Sequence, residues 1–486
     1  MMRFLKNSYP LILLFFLNIV LKLLYLRAEP ISHDEPFTIY HAQFAIGDLI
    51  MYLKHYNNPP LFEMILHFWI RAFGISEAAV RCLPMLFSAL SVIPVYLIGR
   101  DFFNTRVALV SALLFTCSTM QIWYAHDCRV YSLFLLLTSF SVYLFFTWLR
   151  ANTASRLLIA LLILTNTLIV YAHYFGFFVW LIEGLILVFY YRSNRKLLFG
   201  FGAVLFFSML LYIPHFVTLY ERFFDSATHG TWLKAPAGIE SLYNMIWSFS
   251  NVPLAAVLCL SLFAMSLLKF FAFTRRTISN PFVAYLIIWF AVPFFFMFFL
   301  SYKIPMFLDR YLIFITPAFY LLLAISLCFL FPARKAYLTG AIILVGVFMF
   351  SVSLNPSKKR AVREIVDLIQ QRNDPETLVL ICAPEFMTTF AYYYNINYFK
   401  QLDGNSEYGR LTGLLQKDHI YFINGIDPLI TERIGHYKKL IYLDAGADFS
   451  VPGNHIKEDL LSAYPLQEEQ FHPELFHTYF FHTGKP

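Results

Sequence analysis

Long apolar stretches separated by short polar segments make up most of this chain before residue 355. A helix needs about 20 mostly apolar residues to cross the hydrocarbon core of a bilayer. Eleven stretches approach or reach this length, at residues 10–26, 78–99, 107–124, 130–149, 157–172, 175–191, 197–219, 252–273, 281–300, 311–331 and 336–354. Only 14% of the residues are charged, against roughly 25% in soluble globular proteins. The sequence therefore predicts an all-α polytopic membrane protein.

The charges between the apolar stretches predict the orientation in the membrane, because Lys and Arg are enriched on the cytoplasmic side. With the N-terminus inside, each inner segment carries at least two cations: Arg3 and Lys6; Arg100 and Arg106; Arg150 and Arg156; Arg192, Arg195 and Lys196; Arg275 and Arg276; Arg334 and Lys335. The outer segments hold the acids Glu29, Asp34, Glu35, Asp48, Glu221, Asp225 and Glu240. We therefore expect a multi-pass protein of the cell inner membrane with a cytoplasmic N-terminus. This charge distribution explains the net charge of +7, so no nucleic-acid partner is expected.

Two early segments need separate treatment. The first apolar stretch follows a basic N-terminal region without a nearby small-residue cleavage site, which predicts an uncleaved signal-anchor. Lys22, in its outer third, is expected to extend towards the membrane surface. The segment Leu61–Phe73 is too short for a span and carries Glu63, His67 and Arg71. It is therefore predicted to be an interfacial or re-entrant helix.

The composition changes after residue 354. Short β-rich runs occur at residues 378–382, 420–423, 440–443 and 477–481, and residues 361–371 show apolar positions at helical spacing. This pattern predicts a small C-terminal α/β soluble domain over residues 356–486, outside the membrane, after a transmembrane domain over residues 1–355. It has neither a GxGxxG motif nor a P-loop, so no nucleotide is assigned. A lid or an acceptor-docking module is the preferred interpretation.

The first outer loop, residues 27–77, contains adjacent carboxylates at Asp34 and Glu35, followed by Pro36. A partly desolvated carboxylate keeps a raised pKa and can act as a general base. The alternative is structural, because Asp before Glu-Pro is a suitable cap for a helix over residues 37–53. Further along, Pro59 and Pro60 interrupt any helix and leave the preceding Asn58 available to a polar ligand.

Three other outer segments carry polar groups at the membrane boundary. The turn after the third stretch holds His126, Asp127, Arg129 and Tyr131, and later turns hold His173, Lys303, Arg310 and Tyr311. The first turn also fits an interfacial aromatic belt with a local Asp127–Arg129 pair. Arg at a helix end suits two-pronged binding of phosphate, which favours Arg310 as a phosphate ligand.

These features together resemble a known family. An Asp-Glu pair that opens a long outer loop, followed by Asn58-Pro59-Pro60-Leu61, resembles glycosyltransferase family 39 and its relatives. Residues 76–132 are most similar to the RgtA/B/C/D-like branch, through Arg81-Cys82-Leu83-Pro84, Gly99-Arg100, Trp123-Tyr124 and Arg129-Val130-Tyr131-Ser132. Asn58 stands where protein mannosyltransferases have His, and Phe62-Glu63 replaces their Gly-Lys. The acceptor is therefore left open.

The resemblance implies a GT-C fold and transfer of a sugar from a polyprenyl-phosphate donor to an envelope glycan, lipid or protein acceptor. Asp34 matches the acid at the reacting centre, with Glu35 beside it. Arg129 and Arg310 are the implied ligands of the carrier phosphate. The remaining candidates for substrate binding are His33, Asn58, Arg81, His126, Asp127, Tyr131, His173, Lys303 and Tyr311.

The alternatives are a flippase, which belongs to another class, a polysaccharide polymerase or ligase, and a non-catalytic membrane scaffold in which Asp34 and Glu35 only cap a helix. A lipid-linked sugar flippase would need charged residues along a path through the spans, whereas the polar groups here gather in the outer loops. A polysaccharide polymerase or ligase would place its basic residues in a large late outer loop. No cofactor is required by any motif. The outer acids with His33 or His173 offer ligands for a divalent cation, although no ligand spacing requires one.

Overall fold

The computed structural model describes residues 2–24, 26–27, 29–32, 34–54, 58–151, 155–229, 233–274, 280–353, 361–400, 408–472 and 476–484. His33, Arg275 and Arg276, which the sequence analysis named, lie outside these residues. The chain divides into two compact units. The first comprises Met1–Leu26, Ile50–Ile65 and Arg81–Leu354, and the second comprises Arg27–Leu49, Leu66–Val80 and Asn355–Pro486. Two pieces of the early outer loop thus belong to the unit that contains the C-terminal region.

Helices account for nearly all regular structure before residue 351. They are α1 Met2–Leu23, α2 Glu35–His41, α3 Ile46–Leu53, α4 Leu61–Phe73, α5 Glu77–Phe102, α6 Thr105–Thr116, α7 Thr119–Ala125, α8 Tyr131–Ala151, α9 Arg156–Ala172, α10 Gly176–Tyr191, α11 Arg195–His229, α12 Glu240–Phe249, α13 Pro253–Lys269, α14 Pro281–Leu300, α15 Asp309–Leu312, α16 Thr316–Leu330 and α17 Arg334–Phe350. The segment Leu61–Phe73, predicted to be an interfacial or re-entrant helix, forms helix α4 with those bounds.

Each of the eleven apolar stretches coincides with helix, but the predicted number of spans is not confirmed. Among the described residues, six helices are long and apolar enough to cross a membrane, and a seventh span results if α6 and α7, bent by 58°, are taken together. The apolar part of α1 (Tyr9–Leu23), α9 and α10 are shorter apolar helices. Their apolar stretches in the sequence lie near the lower limit for a span. The chain is thus a mostly helical, multi-pass membrane protein.

The bend between α6 and α7 is held by buried polar contacts within the first unit. Ser118 caps α7 by accepting a hydrogen bond from the Gln121 amide at 3.4 Å, and the Tyr320 hydroxyl donates to Ser118 Oγ at 2.8 Å. The Gln121 side-chain amide donates to Thr316 Oγ1 at 2.9 Å. These buried polar contacts fix the break between the helices, and α7 then leads into the turn that carries His126 and Arg129.

Lys22 does not extend to the membrane surface, so that prediction was wrong. Its side chain is 0% exposed. The ammonium group donates to Asn18 Oδ1 at 2.6 Å and lies 5.2 Å from the centroid of the Phe115 ring. Asn18 in turn donates to the Ala89 carbonyl at 3.2 Å. A hydrogen-bond partner one turn earlier and an aromatic face thus hold the cation inside the first unit.

The C-terminal region contains the predicted α/β structure. Its elements are α18 Val362–Arg372, β1 Thr377–Cys382, α19 Met387–Tyr394, α20 Ile396–Phe399, α21 Tyr408–Lys417, β2 Ile420–Ile423, α22 Pro428–Ile434, β3 Lys439–Ala445, α23 Ala447–Ser450, α24 Ile456–Ala463, β4 Leu466–His472 and β5 Phe476–His482. The strand order is β2-β1-β3-β5-β4. Strands β2, β1 and β3 are parallel, whereas β5 pairs antiparallel with both β3 and β4. Strand β1 is buried along its whole length, as a central strand covered on both faces should be.

Candidate active site

The two acids of the early loop occupy different environments in the second unit. Asp34 immediately precedes α2 and is exposed, and its side chain makes no capping hydrogen bond to the helix. Glu35 is 5% exposed, and its Oε2 accepts a hydrogen bond from the Ser32 amide at 3.4 Å. The Asp34 side chain therefore does not cap α2, which was the structural alternative for this residue. Asp34 is thus exposed and not partly desolvated, whereas Glu35 is buried in the turn.

Arg129, His173 and Arg310 form a basic cluster in the first unit, although they come from three separate turns. Arg129 lies between α7 and α8, His173 between α9 and α10, and Arg310 in the first turn of α15. Burial, and to a lesser degree the positive charges of Arg129 and Arg310, lower the pKa of His173 to about 3. The charges of the two guanidinium groups therefore both act on the His173 imidazole.

Tyrosine side chains line this cluster. The Arg310 guanidinium carbon lies 5.8 Å from the ring centroid of Tyr131 and 5.5 Å from that of Tyr311. The His173 ring centroid lies 6.2 Å from Tyr131 and 5.7 Å from Tyr311. It also stacks on Phe134 at 5.1 Å. Two aromatic faces thus lie beside the Arg310 guanidinium group.

The protonation of His173 follows from its contacts. Its Nδ1 accepts a hydrogen bond from the Phe175 amide at 3.1 Å. Because its pKa is lowered to about 3, the ring is neutral near pH 7. The single proton of a neutral imidazole must then be on Nε2. His173 can thus act as a hydrogen-bond donor beside the two arginines.

Asp309 fixes the start of α15 and so the position of Arg310. The Tyr124 hydroxyl donates to Asp309 Oδ1 at 2.8 Å, and Ser248 Oγ donates to Oδ2 at 3.4 Å. The Arg310 amide also donates to Asp309 Oδ1, at 2.7 Å. Both carboxylate oxygens are therefore engaged by residues from other helices or by the backbone. Tyr124 and Ser248 could not be identified from the sequence as partners of Asp309, since both lie far from it in the chain.

Glu63 is a buried acid that the sequence analysis did not select. It lies in the first turn of α4 and is 3% exposed. Burial raises its pKa, and the positive charge of Arg129 opposes that effect. Glu63 therefore belongs to the surroundings of the basic cluster. The available signal was a carboxylate in the first turn of a mostly apolar segment, shortly after Pro59 and Pro60.

Other candidates lie elsewhere in the first unit. His126 Nε2 makes a 2.6 Å hydrogen bond with the Lys22 carbonyl, and Arg81 donates to the Leu26 carbonyl at 3.4 Å. Both side chains thus bind carbonyl groups at or just beyond the end of α1, where helix carbonyls have no partner within the helix. Burial also lowers the pKa of His126 to about 4.

The three remaining candidates occupy turns. Asp127 accepts a hydrogen bond from the Arg129 amide through its carbonyl at 2.7 Å. Lys303 is exposed in the turn after α14, and Asn58 is half-buried just before α4. Within the described part of the chain, no group of three or more His, Cys, Asp or Glu residues is arranged to hold a metal ion.

The neutral state of His173 predicts a pH dependence of stability. Its native pKa of about 3 lies below the ordinary value of 6.5, so below pH 6.5 the unfolded chain binds a proton that the native protein does not. The contribution of the neutral His173 to the free energy of unfolding is therefore fully present above pH 6.5 and is lost as the pH falls towards 3. At pH 5 the loss is about 2 kcal/mol. We expect His173→Gln to reduce the fall of the thermal denaturation midpoint between pH 7.5 and pH 5 in detergent.

The exposed His436 supplies the control for this measurement, through His436→Gln. Equal pH dependence in wild type and His173→Gln would contradict the assignment of a buried, neutral imidazole.

Comparison with known proteins gives matches in sequence and in structure. Residues 57–217 match the family model described as dolichyl-phosphate-mannose-protein mannosyltransferase. No curated protein matches the chain. The sequence match thus confirms the resemblance to GT-C glycosyltransferases over residues 57–217, which include Asn58, Arg129 and His173.

Solved structures extend the likeness to nearly the whole chain. ArnT from Cupriavidus metallidurans in the apo state has a TM-score of 0.63 at 14% identity, covering 98% of this chain and 98% of that chain. The same protein bound to undecaprenyl phosphate also has a TM-score of 0.63 at 14% identity, covering 97% and 98%. The Archaeoglobus fulgidus oligosaccharyltransferase, in complex with Zn and sulfate, has a TM-score of 0.56 at 14% identity, covering 96% of this chain and 72% of that chain. At these identities the likeness establishes a shared fold.

Proposed function

We propose that this protein is a membrane glycosyltransferase that moves a sugar from a polyprenyl-phosphate donor to an envelope glycan, lipid or protein acceptor. The observation that carries the proposal is the convergence of Arg129 and Arg310 on His173. A pair of guanidinium groups suits a phosphate headgroup. One protein that shares the fold over 98% of its own chain binds undecaprenyl phosphate. A polyprenyl phosphate is accordingly the lipid that we assign to the cluster.

The proposed chemistry is a single displacement at the anomeric carbon. The acceptor hydroxyl oxygen forms the new bond to that carbon while its proton passes to the Asp34 carboxylate. The bond from the anomeric carbon to the phosphate oxygen breaks, and the electron pair leaves with the polyprenyl phosphate. Such a displacement inverts the anomeric centre. The sugar–phosphate bond already stores the required free energy, so no nucleotide sugar enters the reaction.

The basic cluster stabilises the leaving group in this scheme. Negative charge on the phosphate increases as the glycosidic bond breaks, and fixed positive charges at that point lower the barrier. Arg129 and Arg310 supply those charges, and His173 Nε2 donates a hydrogen bond without adding a charge. No step is assigned to a metal ion.

The flippase alternative would use charged groups inside the membrane region as a path. The charged residues that the flippase alternative would use in the apolar helices are Lys22, Glu183 and Lys269. Lys22 donates to Asn18 of its own helix at 2.6 Å and lies over the Phe115 ring of α6, and Glu183 Oε1 accepts a hydrogen bond from Ser141 of α8 at 2.9 Å. Lys269 donates to the Phe329 carbonyl at 2.7 Å. Each of the three therefore contacts another helix, which favours a structural function.

The orientation of the chain in the membrane is part of the same proposal. We propose that the N-terminus is cytoplasmic and that Asp34 and the C-terminal region are extracytoplasmic, because the cations of the connecting segments alternate in that sense. Alkaline phosphatase and fluorescent-protein fusions after Lys358 give a direct measurement. Phosphatase activity without fluorescence is expected, and the reverse would place the proposed chemistry on the wrong side of the membrane.

Transfer itself can be tested with purified protein in nanodiscs. Polyprenyl-phosphate sugars extracted from the same cells serve as donors, and membranes from cells that lack the protein serve as acceptor. The expected result is release of polyprenyl phosphate together with consumption of one donor. A donor pool that stays unchanged with wild-type protein would contradict the proposed function.

A further inference from the structure

Tyr393 joins separate parts of the second unit through its hydroxyl group. It lies in the last turn of α19, and the hydroxyl accepts a hydrogen bond from the Ile31 amide at 2.5 Å. The same hydroxyl donates to Glu77 Oε1 at 2.5 Å. Burial raises the pKa of Tyr393, so its proton remains available for that donation. One side chain of the C-terminal region thus holds a backbone group three residues before Asp34.

An ion pair between Arg363 and Glu77 supports the hydrogen bond between Tyr393 and Glu77. Arg363 Nη2 donates to both carboxylate oxygens of Glu77, at 2.6 Å and 2.5 Å. Charge-assisted hydrogen bonds of this kind fix orientation more firmly than neutral ones. Glu77 is therefore held by Arg363 while it accepts the Tyr393 proton. We call the series Arg363–Glu77–Tyr393–Ile31 the loop clamp.

Packing around the clamp holds the same segments. The Tyr40 ring of α2 lies 5.4 Å from Phe399, and both residues are 0% exposed. Gln43 also donates to the Phe399 carbonyl at 3.5 Å. The Tyr392 hydroxyl donates to the Ile75 carbonyl at 2.8 Å. The early loop is thus fixed on both sides of α2 by residues from the C-terminal region.

The clamp borders a cavity within the second unit. This cavity has a volume of about 710 Å³, and its lining includes Arg27, Ser76, Glu77, Arg363, Tyr392 and Lys400. The side chains of Glu77 and Arg363 are 16% and 41% exposed. The clamp is therefore a partly exposed polar contact at the edge of the cavity.

We propose that the C-terminal domain positions the proposed catalytic base, with Tyr393 as its main positioning residue. This inference rests on the proposed function and adds a task for the C-terminal domain. Fixing the Ile31 amide sets the path by which the chain enters α2, and so the direction of the Asp34 carboxylate. A misplacement of about 1 Å can cost on the order of 100-fold in rate. The basic cluster is built from residues of the other unit, so donor binding should not depend on the clamp.

The test uses Tyr393→Phe in the full-length protein, with Tyr437→Phe as the matched control. Tyr437 also lies in the C-terminal region, and its hydroxyl makes a 2.8 Å hydrogen bond with His419 Nδ1. Both variants lose one hydroxyl and keep the ring. Hydrogen–deuterium exchange of peptides that cover residues 29–44 then reports on the loop without any substrate. Sugar transfer in nanodiscs gives kcat and the donor KM.

The clamp predicts faster exchange at Ile31 in Tyr393→Phe and unchanged exchange in Tyr437→Phe. It also predicts that Tyr393→Phe lowers kcat about 10- to 100-fold with an unchanged donor KM. Unchanged exchange at Ile31 would overturn the clamp. Faster exchange with a normal kcat would overturn the positioning function. If wild-type protein transfers no sugar, the proposed function fails and the catalytic part of the inference with it, whereas exchange still decides whether the loop is held.

Discussion

Asp34→Asn should leave a folded, membrane-inserted protein that no longer transfers sugar. An amide cannot take up the proton of the attacking hydroxyl, and loss of a general base costs about 10²–10⁴-fold in rate. A cap, by contrast, is served almost equally well by Asn, at a cost of a few tenths of a kcal/mol. In the structure the Asp34 side chain is exposed and does not cap α2. The rate should be measured in nanodiscs, beside the thermal denaturation midpoint.

Glu35→Gln provides the matched control for that variant. The neighbouring carboxyl is buried and accepts a hydrogen bond from the Ser32 amide, which a Gln oxygen can also accept. A smaller loss of rate is therefore expected than for Asp34→Asn. Equal activity of Asp34→Asn and wild type would end the assignment of Asp34 as the base, and a larger loss in Glu35→Gln would transfer it to Glu35.

Arg129→Lys and Arg310→Lys should each weaken the use of the donor while the charge is kept. Lysine offers a point charge in place of the planar guanidinium fork, so one of two parallel hydrogen bonds to a phosphate is lost. A hydrogen bond to a charged group contributes about 1.5–3 kcal/mol. Each substitution should therefore lower kcat/KM for the donor about 10- to 100-fold. The double variant should fall further, since both cations are proposed to act on one phosphate.

Arg150→Lys is the control for these substitutions. Arg150 donates to the Asp101 carbonyl at 2.6 Å, near the segment predicted to face the cytoplasm. Its replacement should leave donor use unchanged. If Arg129→Lys and Arg310→Lys behaved like this control, the two arginines would have only a structural function, and the phosphate would have to bind elsewhere.

Features that depend on local composition were predictable from the sequence. The eleven apolar stretches all coincide with helix, because the apolar character of a segment is a property of neighbouring residues. Strands β1, β2, β3 and β5 lie within two residues of the predicted runs, whereas β4 was not predicted. Helix α18 buries Val362, Ile365, Val366 and Ile369 as its spacing indicated. The number of membrane spans was harder to predict, because several helices are near the minimum length for crossing a bilayer.

Features that depend on distant partners were not predictable. The apolar stretch at residues 107–124 reads as continuous, yet Ser118 interrupts it with the help of Tyr320. Lys22 is buried because Asn18 and the Phe115 ring receive its ammonium group. Asn18 is only one turn from Lys22, but Phe115 and Tyr320 are distant in the chain and could not be identified as partners from the local sequence.

The candidate site shows the same limit. Residue type and position at a helix end were enough to select Arg129, His173 and Arg310 separately. The structure adds that the two arginines act on one imidazole, and that a buried Glu63 lies within reach of the Arg129 charge. Tyr393 could not be selected, because its partner Ile31 lies hundreds of residues earlier in the chain.

Mass spectrometry of envelope glycans and lipids, in cells with and without this protein, tests the central claim most directly. The account predicts that cells lacking the protein lose one monosaccharide from an envelope component and accumulate the corresponding polyprenyl-phosphate sugar. Wild-type protein should restore both, and Asp34→Asn should restore neither. Identical glycan and lipid profiles in the two strains would contradict the claim that this protein transfers a sugar from a polyprenyl-phosphate donor.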